Sequence, residues 1–174
     1  MANRAYLFNS DRDDPDVWRH RDEIYFDSRW TVPLSWWFLF EVPDIRLVDV
    51  HYDGSTWQEV KFVTDKGGAL LAFNSRRSRL MRILGMSSHQ DLLLHFLNTL
   101  RTWPGKYLFM DPEEVFGGAG VDDGHYRHCR RILEIIGSES SDVKDVIDAV
   151  SSYSSVEFDN RDEFIGQVIG YTYQ

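Results

Sequence analysis

The sequence predicts one α+β domain over residues 1–174, with a mainly antiparallel sheet packed against several helices. Three observations support this prediction. The composition is 43% hydrophobic and 14% aromatic, which is enough to bury a sizeable core. Predicted strands and helices are interspersed without a regular βαβ rhythm or an internal repeat. No linker-like or low-complexity stretch divides the 174 residues, a length typical of one domain.

The first element is a short strand over residues 3–8, where apolar side chains fall on both faces. Residues 9–16, with four Asp and one Pro, are typical of a solvated loop. Asp16 is then placed to cap a short helix that ends at Ile24 or Tyr25.

Residues 30–40 form an uncharged block rich in Trp and Phe. A membrane-spanning helix needs about 20 apolar residues, so the block is buried in a core or against another protein. Pro33 at a first helical position and Pro43 just past the end favour a helix of about two turns. A buried strand fits equally well, because large apolar residues occupy every second position at Leu34, Trp36, Phe38 and Phe40. We favour the helix.

The middle of the chain begins with a hairpin. Strands are predicted over residues 45–52 and 57–64, joined by the turn signal Asp53-Gly54. Gly67-Gly68 precedes a helix over 69–84, and Gly85 follows that helix as a C′ residue. The next helix starts near Ser88, three residues before Asp91 as in a capping box, and ends before Trp103-Pro104-Gly105. Its inward residues are Leu93, Phe96, Leu97 and Leu100.

The last third is predicted to contain two strands and two helices. A strand over residues 106–110 leads into a loop over 115–121. A helix capped by Asp122 or Asp123 ends at Gly137, and a second helix begins at Ser141. Residues 163–173 are predicted as a long strand, in which Gly166 and Gly170 permit close packing.

Charge is distributed unevenly along the chain. The net charge is −9, made of −6 over residues 1–60, +5 over 61–105 and −8 over 106–174. A single cysteine, Cys129, excludes an intramolecular disulfide framework, and the first residues lack the features of a signal peptide. We therefore expect a cytoplasmic protein that has no membrane contact.

One predicted helix contains several residues of the types that coordinate metal ions. His125, His128 and Cys129 are spaced for convergence on one helical side, after Asp122 and Asp123. However, Cys129 lies on the apolar stripe, and the two Asp residues are explained as caps. The spacing matches no established zinc pattern, so we expect no metal and no cofactor. The preceding glycine-rich run, 117–120, lacks the Lys-Ser/Thr of a phosphate loop.

Two further clusters admit a functional and a structural interpretation. Arginines 76, 77, 79 and 82 form a basic face, but acidic flanking regions disfavour nucleic acid and favour a solvated face or an internal ion-pair network. Asp49, His51 and Asp53 alternate along one strand near Ser55, as in an acid–base site or on the wet face of a sheet. Adjacent carboxylates also occur at Glu113 and Glu114.

The largest field of one sign lies near the C-terminus. Asp142, Asp145 and Asp148 recur every third residue on one predicted helix, opposite its apolar stripe. A basic partner would be steered to such a surface. The sequence thus predicts a non-enzymatic binding protein that engages a basic protein partner through these three residues. The alternative is an enzyme of unrecognised type with a His/Asp site; no convergent nucleophile–base pattern supports it.

The opening residues, Met-Ala-Asn-Arg-Ala-Tyr-Leu, resemble those of a group of uncharacterised bacterial proteins beginning M-A-N-R-x-Y-L. A block like Pro33-Leu34-Ser35-Trp36 and a closing segment like Ile169-Gly170-Tyr171 accompany that opening. Some members resemble candidate immunity proteins, which neutralise toxins of neighbouring bacteria. The resemblance implies an immunity-type inhibitor and transfers no catalytic residue.

Overall fold

The computed structural model describes residues 4–13, 25–85, 90–116, 123–154 and 161–173. Six strands form one sheet: β1 Arg4–Ser10, β2 Tyr25–Arg29, β3 Ile45–Tyr52, β4 Ser55–Asp65, β5 Tyr107–Asp111 and β6 Tyr171–Tyr173. Their order is β3-β4-β5-β1-β2-β6, and every neighbouring pair is antiparallel. The predicted α+β class is confirmed.

Seven α-helices belong to the described part of the chain. They are α1 Leu34–Trp37, α2 Lys66–Ile83, α3 Gln90–Thr102, α4 Glu113–Phe116, α5 Asp123–Gly137, α6 Val143–Val150 and α7 Arg161–Phe164. A 3₁₀ turn lies at Val42–Asp44 and a π-helical turn at Ile165–Ile169. None of the helices in these described segments combines the length and apolar character needed to cross a bilayer.

The main core lies between the helices and one face of the sheet. In β1, Ala5 and Leu7 point into it, as expected from the two-residue period of a strand. Phe8, on the opposite face, packs with Val63 and Phe109 in a smaller cluster. The predicted inward residues of α3 are buried, and so is Cys129 on the apolar stripe of α5, whereas Tyr126 on that stripe is only half-buried.

The central hairpin agrees with the predicted turn. Tyr52 pairs with Ser55, and the two residues between them have positive φ, 50° at Asp53 and 75° at Gly54. Two positive φ values match the right-handed twist of the flanking strands. Gly85 also has φ 70° just after α2, as predicted. However, α2 begins earlier than expected, because Asp65 caps it through the amide of Gly68.

The uncharged block is mostly buried and only partly helical. Residues 32–40 are buried, but the helix covers only Leu34–Trp37, with Pro33 as its N-cap. The indole N–H of Trp36 donates to the Ile169 carbonyl at 2.7 Å, and that of Trp37 to the Ser154 hydroxyl at 2.8 Å. At the start of the block, Thr31 is half-buried and Trp30 is 64% exposed.

The predicted strand over residues 163–173 is wrong for most of its length. The chain forms α7 and the π-helical turn before it reaches β6. Phe164, Val168 and Ile169 are buried, although the adjacent residues Val168 and Ile169 would point to opposite faces of a strand. Gly170, with φ 85°, then connects the turn to β6. Strand β2 was not predicted, and the predicted caps at Asp16 and Ser88 lie outside the described residues.

Candidate functional site

The acidic surface of α6 consists of Asp142, Asp145 and Asp148, all exposed. The helix has Asp142 as its N-cap and begins slightly after the predicted start at Ser141. Its carboxylate accepts from the Asp145 amide at 2.9 Å, and the Asp145 carboxylate accepts from the Asp142 amide at 3.0 Å. Two of the three carboxylates therefore stabilise the helix start while their charge stays at the surface.

A groove of about 360 Å³ runs between α5 and α6, beside this acidic surface. Asp145 and Asp148 line one side, and His128 and Arg131 line the other. The His128 ring nitrogen Nε2 lies 3.1 Å from the Ala149 carbonyl oxygen, which ties α5 to α6. A partner approaching the groove therefore meets both signs of charge, from Asp145 and Asp148 on one side and from Arg131 on the other.

The residues considered for a metal site have packing roles. Cys129 is fully buried in the main core, and His128 contacts the α6 backbone. In the described segments, no three His, Cys, Asp or Glu side chains are grouped so as to hold a metal ion. Asp122 and the glycine-rich run at 117–120 lie outside the described residues.

The strand face with Asp49 and His51 makes cross-strand pairs. The His51 Nδ1 atom lies 2.9 Å from the Thr56 hydroxyl, and Gln58 donates to Asp49 at 3.0 Å. Asp49 and His51 are both exposed, as on the wet face of a hairpin. Glu114 accepts a hydrogen bond from the Arg4 amide at 3.0 Å. These residues therefore have structural hydrogen-bond partners, and the contacts do not form an acid–base pair.

Two arginines of the basic face, Arg76 and Arg79, make contacts between separate elements of the fold. Arg76 donates to the Phe40 carbonyl and pairs with Glu41, both at 2.8 Å. Burial lowers the pKa of Arg76, and the nearby carboxylate of Glu41 partly opposes this shift. Arg79 donates to the Ile136 carbonyl at 2.6 Å, near the C-terminus of α5. Arg76 thus forms an ion pair of the kind predicted, whereas Arg79 bonds to backbone carbonyls.

A second groove, which sequence reasoning did not find, lies where β2 ends. We call it the Trp30 groove; its volume is about 500 Å³, and its walls are Arg29, Trp30, Thr31, Glu163, Gly166, Gln167 and Tyr171. Two aromatic side chains are prominent in it, with Trp30 64% and Tyr171 41% exposed. The groove thus combines aromatic faces, an amide and both signs of charge.

The backbone around the Trp30 groove is irregular. Trp30 has φ 67°, a left-handed conformation that is rare for a bulky residue. The π-helical turn Ile165–Ile169 forms the opposite side, and such turns are frequent at functional sites. Buried polar groups hold that turn in place: Ser28 donates to the Gly166 carbonyl at 2.9 Å and Trp36 to the Ile169 carbonyl. Conformational strain kept in place by its surroundings is typical of binding sites.

The sequence contains only weak signals for this groove. Trp30 directly follows the charged Arg29 and begins the uncharged block, so the sequence predicts that it is buried. A Cβ at Gly166 would lie 3.0 Å from the Tyr171 hydroxyl oxygen, a tight contact that an extended strand does not predict. Only the three-dimensional structure brings residues 29–31 beside 163–171.

The chain matches no protein-family model, and comparisons with curated proteins and with solved structures found no significant similarity.

Proposed function

We propose that this protein is a non-enzymatic binding protein that engages a basic protein partner through the acidic surface of α6. The observation that carries the proposal is the set of three exposed carboxylates on one helix, in a region of net charge −8. Among the described residues, the side chains considered for catalysis are engaged in structural contacts instead. An immunity-type inhibitor acting in the cytoplasm is the form of this function that the sequence resemblance favours.

Complementary charge has a defined physical effect on association. It accelerates encounter and selects partners of opposite sign, while buried aromatic anchors provide most of the affinity. Exposed charges are screened within about 8 Å at physiological ionic strength. Binding through the acidic surface of α6 should therefore weaken as salt is added.

The experiment must remove charge without removing helix caps. Replacing all three Asp by Lys would also destroy the Asp142 cap, which is worth about 1 kcal/mol. The variant Asp142→Asn/Asp145→Gln/Asp148→Asn keeps residues that suit the cap and third helical positions. We expect it to melt like the wild type and to retain much less of any protein that co-purifies with the wild type.

A matched control removes three charges elsewhere. Asp49, Asp53 and Asp91 are exposed, and changing each to Asn gives the same net charge as the α6 variant. This control should retain the partner. Equal retention by both variants, or equal loss from both, contradicts a role for the acidic surface of α6.

A further inference from the structure

We infer that the outer edge of β3 pairs with the same edge of a second copy of this chain, antiparallel and about a two-fold axis at Val50. The sheet of one copy then continues into the sheet of the other. The contact is made by β3 rather than by α6, so the inference goes beyond the proposed function and does not depend on it.

Strands β3 and β4 form an arm that extends past the rest of the sheet. All eight residues of β3 pair with β4, whereas β4 pairs with β5 only through residues 62–65. In the described part of the chain, β3 is the last strand of the sheet, and no strand pairs with its other edge. Leu47, Asp49 and His51 are exposed along it. Backbone donors and acceptors left open at a strand edge are a template for another strand.

The turn that closes the arm determines which backbone groups point outward. Tyr52 and Ser55 flank the two-residue turn, and flanking residues of such a turn exchange backbone hydrogen bonds. Hydrogen-bonded pairs alternate along an antiparallel ladder, so Asp49 and His51 direct their N–H and C=O groups away from β4. The register of β3 with β4 has no bulge, and β3 contains no Pro, Gly or Lys. It therefore lacks several features by which edge strands avoid pairing.

The charges along β3 distinguish between the possible registers. A two-fold axis perpendicular to the sheet pairs residues whose side chains lie on the same face. An axis at Val50 places Asp49 opposite His51 of the second copy, and does so twice in the dimer. An axis at Val48 would place Asp49 opposite Leu47, and an axis at Asp49 would bring two carboxylates together. Of these three axes, only the one at Val50 gives pairs of complementary charge.

Asp49 and His51 each keep one polar atom available for this pairing. Asp49 accepts a hydrogen bond from Gln58 through Oδ1, and the His51 Nδ1 atom lies 2.9 Å from the Thr56 hydroxyl. Within the described segments, Asp49 Oδ2 and His51 Nε2 have no hydrogen-bond partner. With the Thr56 hydroxyl donating to Nδ1, the ring proton lies on Nε2, which can donate to Asp49 Oδ2 of the second copy.

The dimer is expected to be weak. The pairing covers residues 48–52 of each copy, which makes an interface at the small end of known sizes. We therefore expect a Kd in the high micromolar range. The measurement is sedimentation equilibrium of the full chain at several concentrations up to the millimolar range. A pH of about 6 is suitable, because histidine then carries much of its positive charge.

Two variants test the register. Asp49→His makes both facing residues His, and His51→Asp makes both of them Asp. Each variant alone should self-associate about tenfold more weakly than the wild type, because two complementary pairs are replaced by pairs of like charge. An equal mixture of the two should form a heterodimer with the affinity of the wild type, since every Asp then faces a His again. The double variant Asp49→His/His51→Asp should also dimerise like the wild type.

The matched control is Asp91→His/His95→Asp, which exchanges the same residue types at exposed positions of α3. This control and the α6 variant should self-associate like the wild type. A wild type that stays monomeric at every concentration would overturn the inference. So would single variants that dimerise as well as the wild type, or a mixture that stays monomeric although both variants melt like the wild type.

Discussion

Lys61 is a charged residue buried inside the sheet, with only 3% of its side chain exposed. Its ammonium lies 2.6 Å from an Asp111 oxygen and 2.7 Å from a Glu59 oxygen. Burial alone would lower the pKa of Lys61, but the attraction of Asp111 and Glu59 outweighs it and raises the pKa above the ordinary value. The ammonium therefore holds two carboxylates together in a region with little water.

Replacing Lys61 by Met should lower the free energy of unfolding by about 3 kcal/mol, because the two carboxylates are then left without their cation. Urea unfolding at neutral pH measures this loss. Lys144→Met is the control, since Lys144 is exposed on α6 and its loss should change stability by less than about 0.5 kcal/mol. A loss no larger than that of the control would contradict the role of Lys61.

The stability should also depend on alkaline pH. Folding raises the pKa of Lys61, so the folded state holds this proton more tightly than the unfolded state does. The stabilisation is complete below the unfolded pKa of about 10.4 and is lost as the pH rises through the folded pKa. The wild type should lose more stability than Lys61→Met across that alkaline window. Parallel curves would be inconsistent with this linkage.

Trp30 allows a direct test of its strained backbone. Both Trp30→Ala and Trp30→Gly remove the ring, but only glycine adopts φ 67° without a steric penalty. The glycine variant should be more stable than the alanine variant by about 1 kcal/mol, the reverse of the usual order. Thermal unfolding of the two variants, side by side, decides this; an alanine variant of equal or higher stability rules out the strain.

At the scale of elements, the approach to β6 depends on Gly170. A Cβ there would lie 2.6 Å from a Trp36 ring carbon, in addition to the penalty of φ 85°. Gly170→Ala should therefore cost about 3 kcal/mol. Gly54→Ala is the control: φ there is 75°, but the new Cβ would meet no described heavy atom within 4 Å, so about 1 kcal/mol is expected. Equal losses, measured by urea unfolding, would contradict the close packing against Trp36.

Elements with a strong local pattern were predictable. The hairpin turn at Asp53-Gly54 and the apolar stripes of α3 and α5 follow from side-chain chemistry and helical period. The strand predicted over residues 163–173 was wrong because a spacing of four residues is ambiguous. Ile165 and Ile169 fit one face of a strand and equally one face of a helix. In the structure these residues form a π-helical turn, and the Ile169 carbonyl accepts the buried Trp36 N–H.

Of the two candidate sites, one was predictable from a local sequence pattern and the other was not. The acidic surface of α6 was predictable, because a three-residue repeat of Asp within one helix is a local signal. The Trp30 groove was not, since it joins residues 29–31 to 163–171 across more than 130 positions. Contacts so distant in sequence leave no periodic pattern.

At the scale of the molecule, the first and last strands, β1 and β6, belong to one sheet. Strand β1 lies between β5 and β2, and β2 carries β6 at the sheet edge. Deleting residues 1–8 should therefore abolish cooperative melting, because β5 and β2 lose the strand that joins them. Calorimetry provides the measurement. A truncated chain that melts like the intact one would show that β1 is dispensable.

The central claim is that a basic protein partner binds through the acidic surface of α6, and salt dependence of the affinity tests it most directly. The measurement is the Kd of the captured partner between about 50 and 500 mM NaCl, for the wild type, the α6 variant and the matched control. We predict that the wild type and the control lose affinity steeply with salt. The α6 variant should bind more weakly at low salt, depend less on salt and converge with the others at high salt. A Kd independent of salt, or the same salt dependence in all three proteins, would contradict the account.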